Sequence, residues 1–358
     1  MNRRKSREVR IGAIAVGGAN PIAVQSMLNA STADLSANIA QAQALWKAGC
    51  DIIRVAVPSV ADIALIRALK QAVPLPVVAD IQYDWRIAVA AAEAGADKIR
   101  INPGNIGDRA KTEKVVLACR AAGVSIRIGV NSGSLEKDIL RTYGRPTAEA
   151  LAESALRNIE ALEELDFSEY LVAIKSPDVF TTVEAYRKIA AVTDCPLHLG
   201  VTEAGPPRQG LIKSAAAFGA LLADGIGDTL RVSLTADPTE EVRAARDILR
   251  ALGLLQAGPV LVSCPTCGRC KVNLLNTVER VEKVFSNWDK PLKIAVMGCA
   301  VNGPGEAADA DLGLAAGNGE FLLFRRGESI GKVPEYGAAE ALLRAAQELE
   351  LDQNGKNR

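Results

Sequence analysis

The chain has 358 residues, which allows one large domain or two smaller ones. Hydrophobic residues make up 49% and charged residues 23%, a balance that buries a core and excludes a disordered chain. Lys plus Arg number 42 and Asp plus Glu 42, so the basic excess of a non-specific nucleic-acid or membrane-surface binder is missing.

The N-terminus is basic, but the apolar run behind it, Ile11 to Val16, stops at Gly17-Gly18, short of the roughly 7–15 residues of a secretory leader. No stretch approaches the roughly 18 apolar residues of a membrane span. The expectation is a cytoplasmic protein with reduced thiols, in which clustered cysteines serve metal or redox chemistry. Eight short β-rich runs follow: Ala23–Met27, Asp51–Val57, Pro76–Ile81, Lys98–Asn102, Ser125–Asn131, Tyr170–Ser176, Leu197–Thr202 and Thr229–Leu234. Between and after them lie helix-like segments at Ala33–Ala48, Val60–Gln71, Ile87–Ala94, Arg109–Ala122, Thr147–Leu165, Val179–Val192, Ala215–Ala223 and Glu240–Leu252. Strand then helix, repeated eight times over about 250 residues, predicts an α/β fold, a (β/α)8 TIM-type barrel over residues 1–253; the count and the length favour it over a doubly wound open sheet.

Leu254–Pro259 reads as a linker. A small α+β domain follows over residues 254–358. It has a strand at Val260–Ser263, a helix at Val272–Ser286, a strand at Leu292–Met297, two hairpin-like runs at Asp311–Ala316 and Phe321–Arg326, and a helix at Ala338–Leu349. Residues Asp352–Arg358 are expected to fray.

Chemistry in such a barrel sits at the C-terminal ends of the strands. Within or beside these apolar runs stand Arg54, Asp80, Arg100, Asn102, Arg127, Asn131, Lys175, His198, Arg231 and Ser233. Buried unpaired charge is costly, so four arginines and a lysine must meet carboxylates or a polyanion. Asp80, Asp178, Glu203 and Asp228 are the carboxylates that a purely structural network would use. Five converging cations favour a multiply charged anion, for which the arginine fork suits phosphate oxygens. Backbone N–H groups of Asn102–Gly107 add a further phosphate cradle. Glu203 is a candidate acid or base. Lys175 also supports a rival reading as a Schiff-base lysine in a non-redox lyase or aldolase. His198 is the single histidine, so a two-histidine mechanism is excluded within one chain.

Cys264, Cys267 and Cys270 form C-x2-C-x2-C, and Cys299 follows further on. Thiolates at this spacing bind iron–sulfur clusters or zinc, and spacing alone leaves both open. Either four thiolates make the site or one cysteine is a bystander and an oxygen ligand completes it. The Gly-Pro-Gly turn before Glu306 can bring that carboxylate back toward the metal. Cys50, Cys119 and Cys195 are expected to pack in the core.

PIAVQSM (21–27), RINPGNIGD (100–108), IRIGVNSGSLEKD (126–138), HLGVTEAG (198–205), GIGDTLRVSL (225–234), SCPTCGR (263–269) and GCAVNGPGEA (298–307) together resemble the bacterial 4-hydroxy-3-methylbut-2-enyl diphosphate synthases, from about residue 3 to residue 320. The resemblance implies an oxidoreductase of isoprenoid biosynthesis that reductively opens 2-C-methyl-D-erythritol 2,4-cyclodiphosphate. It implies a barrel followed by a domain holding a [4Fe–4S] cluster on Cys264, Cys267, Cys299 and Glu306, with Glu306 exchangeable. It further implies diphosphate binding by Arg54, Arg100, Arg127, Lys175 and Arg231 with Asn131 and Ser233, and proton donation by Glu203. Ferredoxin or flavodoxin would supply electrons, and a homodimer would share its sites between subunits. Three positions depart from the family pattern. Gln82-Tyr83 replaces a His-Phe pair, Pro177 separates Ser176 from Asp178, and Cys270 is an additional cysteine, expected not to be a ligand.

Overall fold

The computed structural model describes residues 3–107, 109–299, 301 and 303–356. The chain divides into two compact units, one ending at Leu254 and one beginning at Leu255.

A short antiparallel hairpin, β1 (Val9–Ile11) with β2 (Ile14–Val16), opens the first unit. Eight parallel strands follow: β3 (Ala23–Met27), β4 (Ile52–Ala56), β5 (Val77–Asp80), β6 (Lys98–Ile101), β7 (Ser125–Asn131), β8 (Tyr170–Lys175), β9 (His198–Gly200) and β10 (Thr229–Arg231). They are hydrogen-bonded in the order β8-β7-β6-β5-β4-β3-β10-β9. A parallel bridge from Val172 of β8 to Leu197, just before β9, brings the two ends together, so the strands ring a barrel as the alternation predicts.

Local chemistry explains where the outer helices begin. Asp34, Asp84, Thr147, Asp178 and Asp237 each accept a backbone N–H in the first turn of the helix that follows, satisfying a donor the helix cannot. The helix expected at Ala215 begins instead at Pro207, where proline's fixed φ suits a first turn. A helix at Lys137–Tyr143, ended by Gly144 in the left-handed region at φ 71°, was not expected from the periodicity.

The β1–β2 hairpin is also an addition to the sequence reading. Val9, Ile11 and Val16 pack against Ala23, Ile52, Val78 and Leu171 near the N-terminal ends of the strands. Three buried aliphatic side chains, each worth about 1.5–3 kcal/mol, close that end. Gly12 makes the turn at φ 57°, and a Cβ there would stand 2.4 Å from Asp97 Oδ1.

The second unit is a five-stranded sheet ordered β11 (Pro259–Ser263), β12 (Leu292–Met297), β13 (Leu312–Ala316), β14 (Glu320–Arg325) and β15 (Glu328–Pro334), the first three parallel and the last two pairings antiparallel. Ile294, Val296, Leu312, Leu314, Phe321 and Leu323 face helices Leu274–Val284 and Ala338–Lys356. Ala295, Met297, Ala315 and Phe324 form a second cluster, and a Cβ on Gly303, which opens the short helix Gly303–Ala308, would stand 2.9 Å from Ala315 Cβ and 3.2 Å from Met297 Cβ. β15 was not expected: only Val333 among its residues is not exposed, so no apolar alternation marks it. The closing helix runs past Leu349 to Lys356, a correction to the expected fraying at Asp352, and residues 357 and 358 lie outside the described residues. Among the described residues no helix is long and apolar enough to cross a membrane.

Candidate functional site

The C-terminal ends of the barrel strands surround a cavity of about 450 Å³. Arg54 of β4, Arg100 of β6, Arg127 of β7, Lys175 of β8 and Arg231 of β10 all line it. Asn131, Ser233 and Glu203 line it too, together with Gln82 and the turn Ser132–Ser134. Of the barrel residues singled out in the sequence, Asp80, Asn102 and His198 stand outside this lining.

Each of the three is engaged with a neighbouring side chain. Asp80 is buried and its carboxylate is already engaged: Oδ2 accepts from Arg54 Nη2 at 2.5 Å and Oδ1 from Arg100 Nη1 at 3.2 Å. Burial alone would raise its pKa, but the charges of Arg54, Arg100 and Arg127 outweigh this and hold it down at about 2. Asn102 Nδ2 donates to Ser134 Oγ at 3.3 Å, so it supports a lining residue. His198, at the start of β9, is fully buried with Nδ1 2.6 Å from Thr229 Oγ1. Burial first, then Arg127, Lys175 and Lys98, push its pKa far down, which keeps the ring neutral.

The carboxylates expected to neutralise the arginines divide differently. Asp228 pairs with Arg3 and Arg4 at the other end of its strand, and Asp178 caps a helix. Glu203 is exposed at the cavity with φ 52°, a left-handed backbone that costs a non-glycine residue about 1–3 kcal/mol and recurs at functional sites. Glu241 was not foreseen. It is buried in the helix Pro238–Ala251, accepts from Arg231 Nε and Nη2 at 3.0 and 3.1 Å, and holds Ser26 Oγ and the Leu234 N–H. Its position in the first turn of a helix, shortly after an arginine-bearing strand, is the signal that could have found it.

Lys98 was missed as well. It lies two residues before Arg100 on β6 and therefore shares its face. It is fully buried, and no hydrogen bond reaches its Nζ among the described residues. Burial, then Arg127 and Arg54, drive its pKa far below the usual lysine value, and Lys175 is lowered by burial and then by Arg127, Arg54, Arg231 and Arg100. The pairs formed here are those of Asp80 with Arg54 and Arg100, and of Glu241 with Arg231. Among the described residues, Arg127 Nε and Nη1, Arg54 Nε, Arg100 Nε and His198 Nε2 are buried without a hydrogen-bond partner. The chemistry of such a layer suits an anion of more than one charge.

Two glycines make room for these cations. A Cβ at Gly129 would stand 2.7 Å from Arg100 Nε, and one at Gly200 would stand 2.8 Å from Lys175 Cε. Gly129→Ala is expected to displace the Arg100 guanidinium and weaken inorganic pyrophosphate binding about ten-fold, the worth of one charge-assisted hydrogen bond, as read by calorimetry. Unchanged affinity would mean that Arg100 does not reach the anion.

All seven cysteines are thiols, with Cys50, Cys119 and Cys195 buried as expected. Cys264, Cys270 and Cys299 are half-buried, and Cys267 is exposed. Among the described residues no three of His, Cys, Asp and Glu converge as a metal-ion site. The donor chemistry nonetheless fits an iron–sulfur group. The Gly298 N–H donates to Cys264 Sγ at 3.2 Å, a Cβ at Gly298 would collide with sulfur, and Cys299 is the next residue. Cys264 also packs on the Met297–Ala315 cluster that Gly303 adjoins. Glu306 rides on the helix Gly303–Ala308; its side chain lies outside the described residues.

A family model described as the GcpE TIM-barrel domain matches residues 6–246, and one described as the GcpE protein C-terminal domain matches residues 260–348. The chain belongs to the GcpE family. The match extends beyond residue 320, where the sequence resemblance was expected to end. The 4-hydroxy-3-methylbut-2-en-1-yl diphosphate synthase (flavodoxin) of Geobacter sulfurreducens is 53% identical over 345 residues, covering 96% of this GcpE chain and 98% of the relative. The protein of the same name from Desulfotalea psychrophila is 51% identical over 360 residues, covering 100% and 99%. The solved dihydropteroate synthase of Stenotrophomonas maltophilia shares the fold alone, at a TM-score of 0.51 and 16% identity over 69% of this GcpE chain and 98% of that one.

Proposed function

We propose that this chain reductively opens 2-C-methyl-D-erythritol 2,4-cyclodiphosphate to 4-hydroxy-3-methylbut-2-enyl diphosphate and water, in isoprenoid biosynthesis. The observation that carries the reading is the cavity into which Arg54, Arg100, Arg127, Lys175 and Arg231 converge, in a chain about half identical to synthases of that name. The five cations bind the diphosphate. Asp80 fixes Arg54 and Arg100, and Glu241 fixes Arg231, so the guanidinium forks are set before the substrate arrives. Asn131 and Ser233 hydrogen-bond the substrate from the rim. Glu203, exposed at the cavity, gives a proton to the departing oxygen, which leaves as water.

Cys264, Cys267, Cys299 and Glu306 are the residues that would hold an iron–sulfur group, of the [4Fe–4S] type. When bound, it supplies two electrons singly while a C–O bond breaks. The relatives' names support flavodoxin as the electron donor ahead of ferredoxin. In this reading the chain works in the cytoplasm as a homodimer.

Protein reconstituted anaerobically with iron and sulfide, given reduced flavodoxin, is expected to consume the cyclic diphosphate. Glu203→Gln is expected to bind it normally and turn it over on the order of 10²-fold more slowly, since water at an exposed position replaces part of a general acid's contribution. Stoichiometric zinc, no acid-labile sulfide and no consumption of substrate would overturn the reading.

A further inference from the structure

We propose that Cys270 is a competent thiolate ligand of the metal centre and can stand in for Cys267. The proposal rests on the iron–sulfur reading above. The Sγ atoms of Cys270 and Cys264 lie 2.8 and 3.4 Å from the single point where a Cβ on Gly298 would stand. The two sulfurs therefore flank one backbone position, directly before Cys299. Cys267, between them in sequence, is exposed. The loop bends so that the Cys270 N–H donates to the Cys267 carbonyl at 2.9 Å, which turns Cys270 inward, where it packs with Cys264 against the core cluster that includes Leu274. Arg269 and Lys271, on either side of Cys270, line a cavity of about 420 Å³ with Cys299. They bring positive charge beside Cys299, which favours its thiolate form. The present contact of Cys270 Sγ is a weak hydrogen bond to the Val272 carbonyl at 3.3 Å, readily given up for a metal bond. The exchange is a ligand swap with no redox step: the Cys270 thiol gives its proton to solvent as it binds, and Cys267 takes one as it leaves.

Cys267→Ser, Cys270→Ser and the double variant of the full chain test this after anaerobic reconstitution with ferrous iron and sulfide, by iron and acid-labile sulfide per chain. Each single variant is expected to retain its iron and the double variant to lose it, with far-UV circular dichroism unchanged throughout. A second measurement is independent of cluster yield. In iron-loaded Cys267→Ser, Cys270 is expected to resist alkylation by iodoacetamide and to become reactive once iron is chelated. Loss of iron in Cys267→Ser alone, or Cys270 alkylation that ignores chelation, would overturn the proposal. Zinc without sulfide in the parent protein would instead overturn the iron–sulfur reading and leave the ligand swap to be judged by the same variants loaded with zinc.

Discussion

An Asp80→Asn variant is expected to lose about 3–5 kcal/mol of stability, the cost of removing one partner from a buried ion pair. Asp80 is 3% exposed and takes hydrogen bonds from both Arg54 and Arg100. Asparagine keeps the shape and an acceptor but leaves two guanidinium groups beside Arg127 with no counter-charge. The midpoint of urea unfolding should fall with little change in slope. Inorganic pyrophosphate should restore more of the loss in the variant than it adds to the parent, because the ligand then supplies the missing charge. The parent protein should also show a pH signature. Asp80 has a depressed folded pKa of about 2 against 3.8, so its contribution is full above the unfolded value and is lost as pH falls through the folded one. That shift is worth on the order of 2 kcal/mol and should disappear from the variant. A midpoint shift equivalent to less than about 0.5 kcal/mol, the range of an ordinary surface substitution, would show that the arginines are accommodated without Asp80.

What the sequence made legible follows from what generates periodic signals. The barrel strands are continuous apolar runs because both faces are buried, and an arginine or lysine interrupting such a run stands out. Arg54, Arg100, Arg127, Lys175 and Arg231 were readable for that reason, and all five line the cavity. Lys98 breaks the same kind of run, but it begins its strand and reads there as a boundary charge. Glu241 lies on a helix with two acidic residues in its first turn, where a carboxylate ordinarily means a favourable helix dipole and solvent. Only the packing of that helix against β3 and β10 makes it a buried partner of Arg231. The β1–β2 hairpin has three residues per strand, too few for alternation to register, and β15 is an exposed edge strand. Asp80 and His198 were correctly placed on barrel strands, but sequence cannot tell a side chain that touches a ligand from one that positions its neighbour. The hydrogen bonds from Arg54 and Arg100 to Asp80 depend on the barrel's closure, which no local run of residues encodes.

Arg127→Met is expected to act in the opposite sense on fold and ligand. Arg127 is 1% exposed, and its Nε and Nη1 have no hydrogen-bond partner among the described residues. Its pKa is driven far down by burial and by Arg54 and Arg100, with Asp80 offsetting only part. It thus carries a desolvation cost that Asp80 repays only in part. Methionine fills similar volume without the charge, so unfolding should be unchanged or up to about 2 kcal/mol harder. Pyrophosphate should lose on the order of 10²–10³ in affinity, because a buried phosphate charge is left without its donor, a loss of about 3–4 kcal/mol. Titration calorimetry reads the second effect and urea unfolding the first. A less stable variant with intact pyrophosphate affinity would make Arg127 a structural residue of the barrel. The two opposed signs, destabilisation by Asp80→Asn and stabilisation by Arg127→Met, separate a charge that holds the site together from one kept there for the anion.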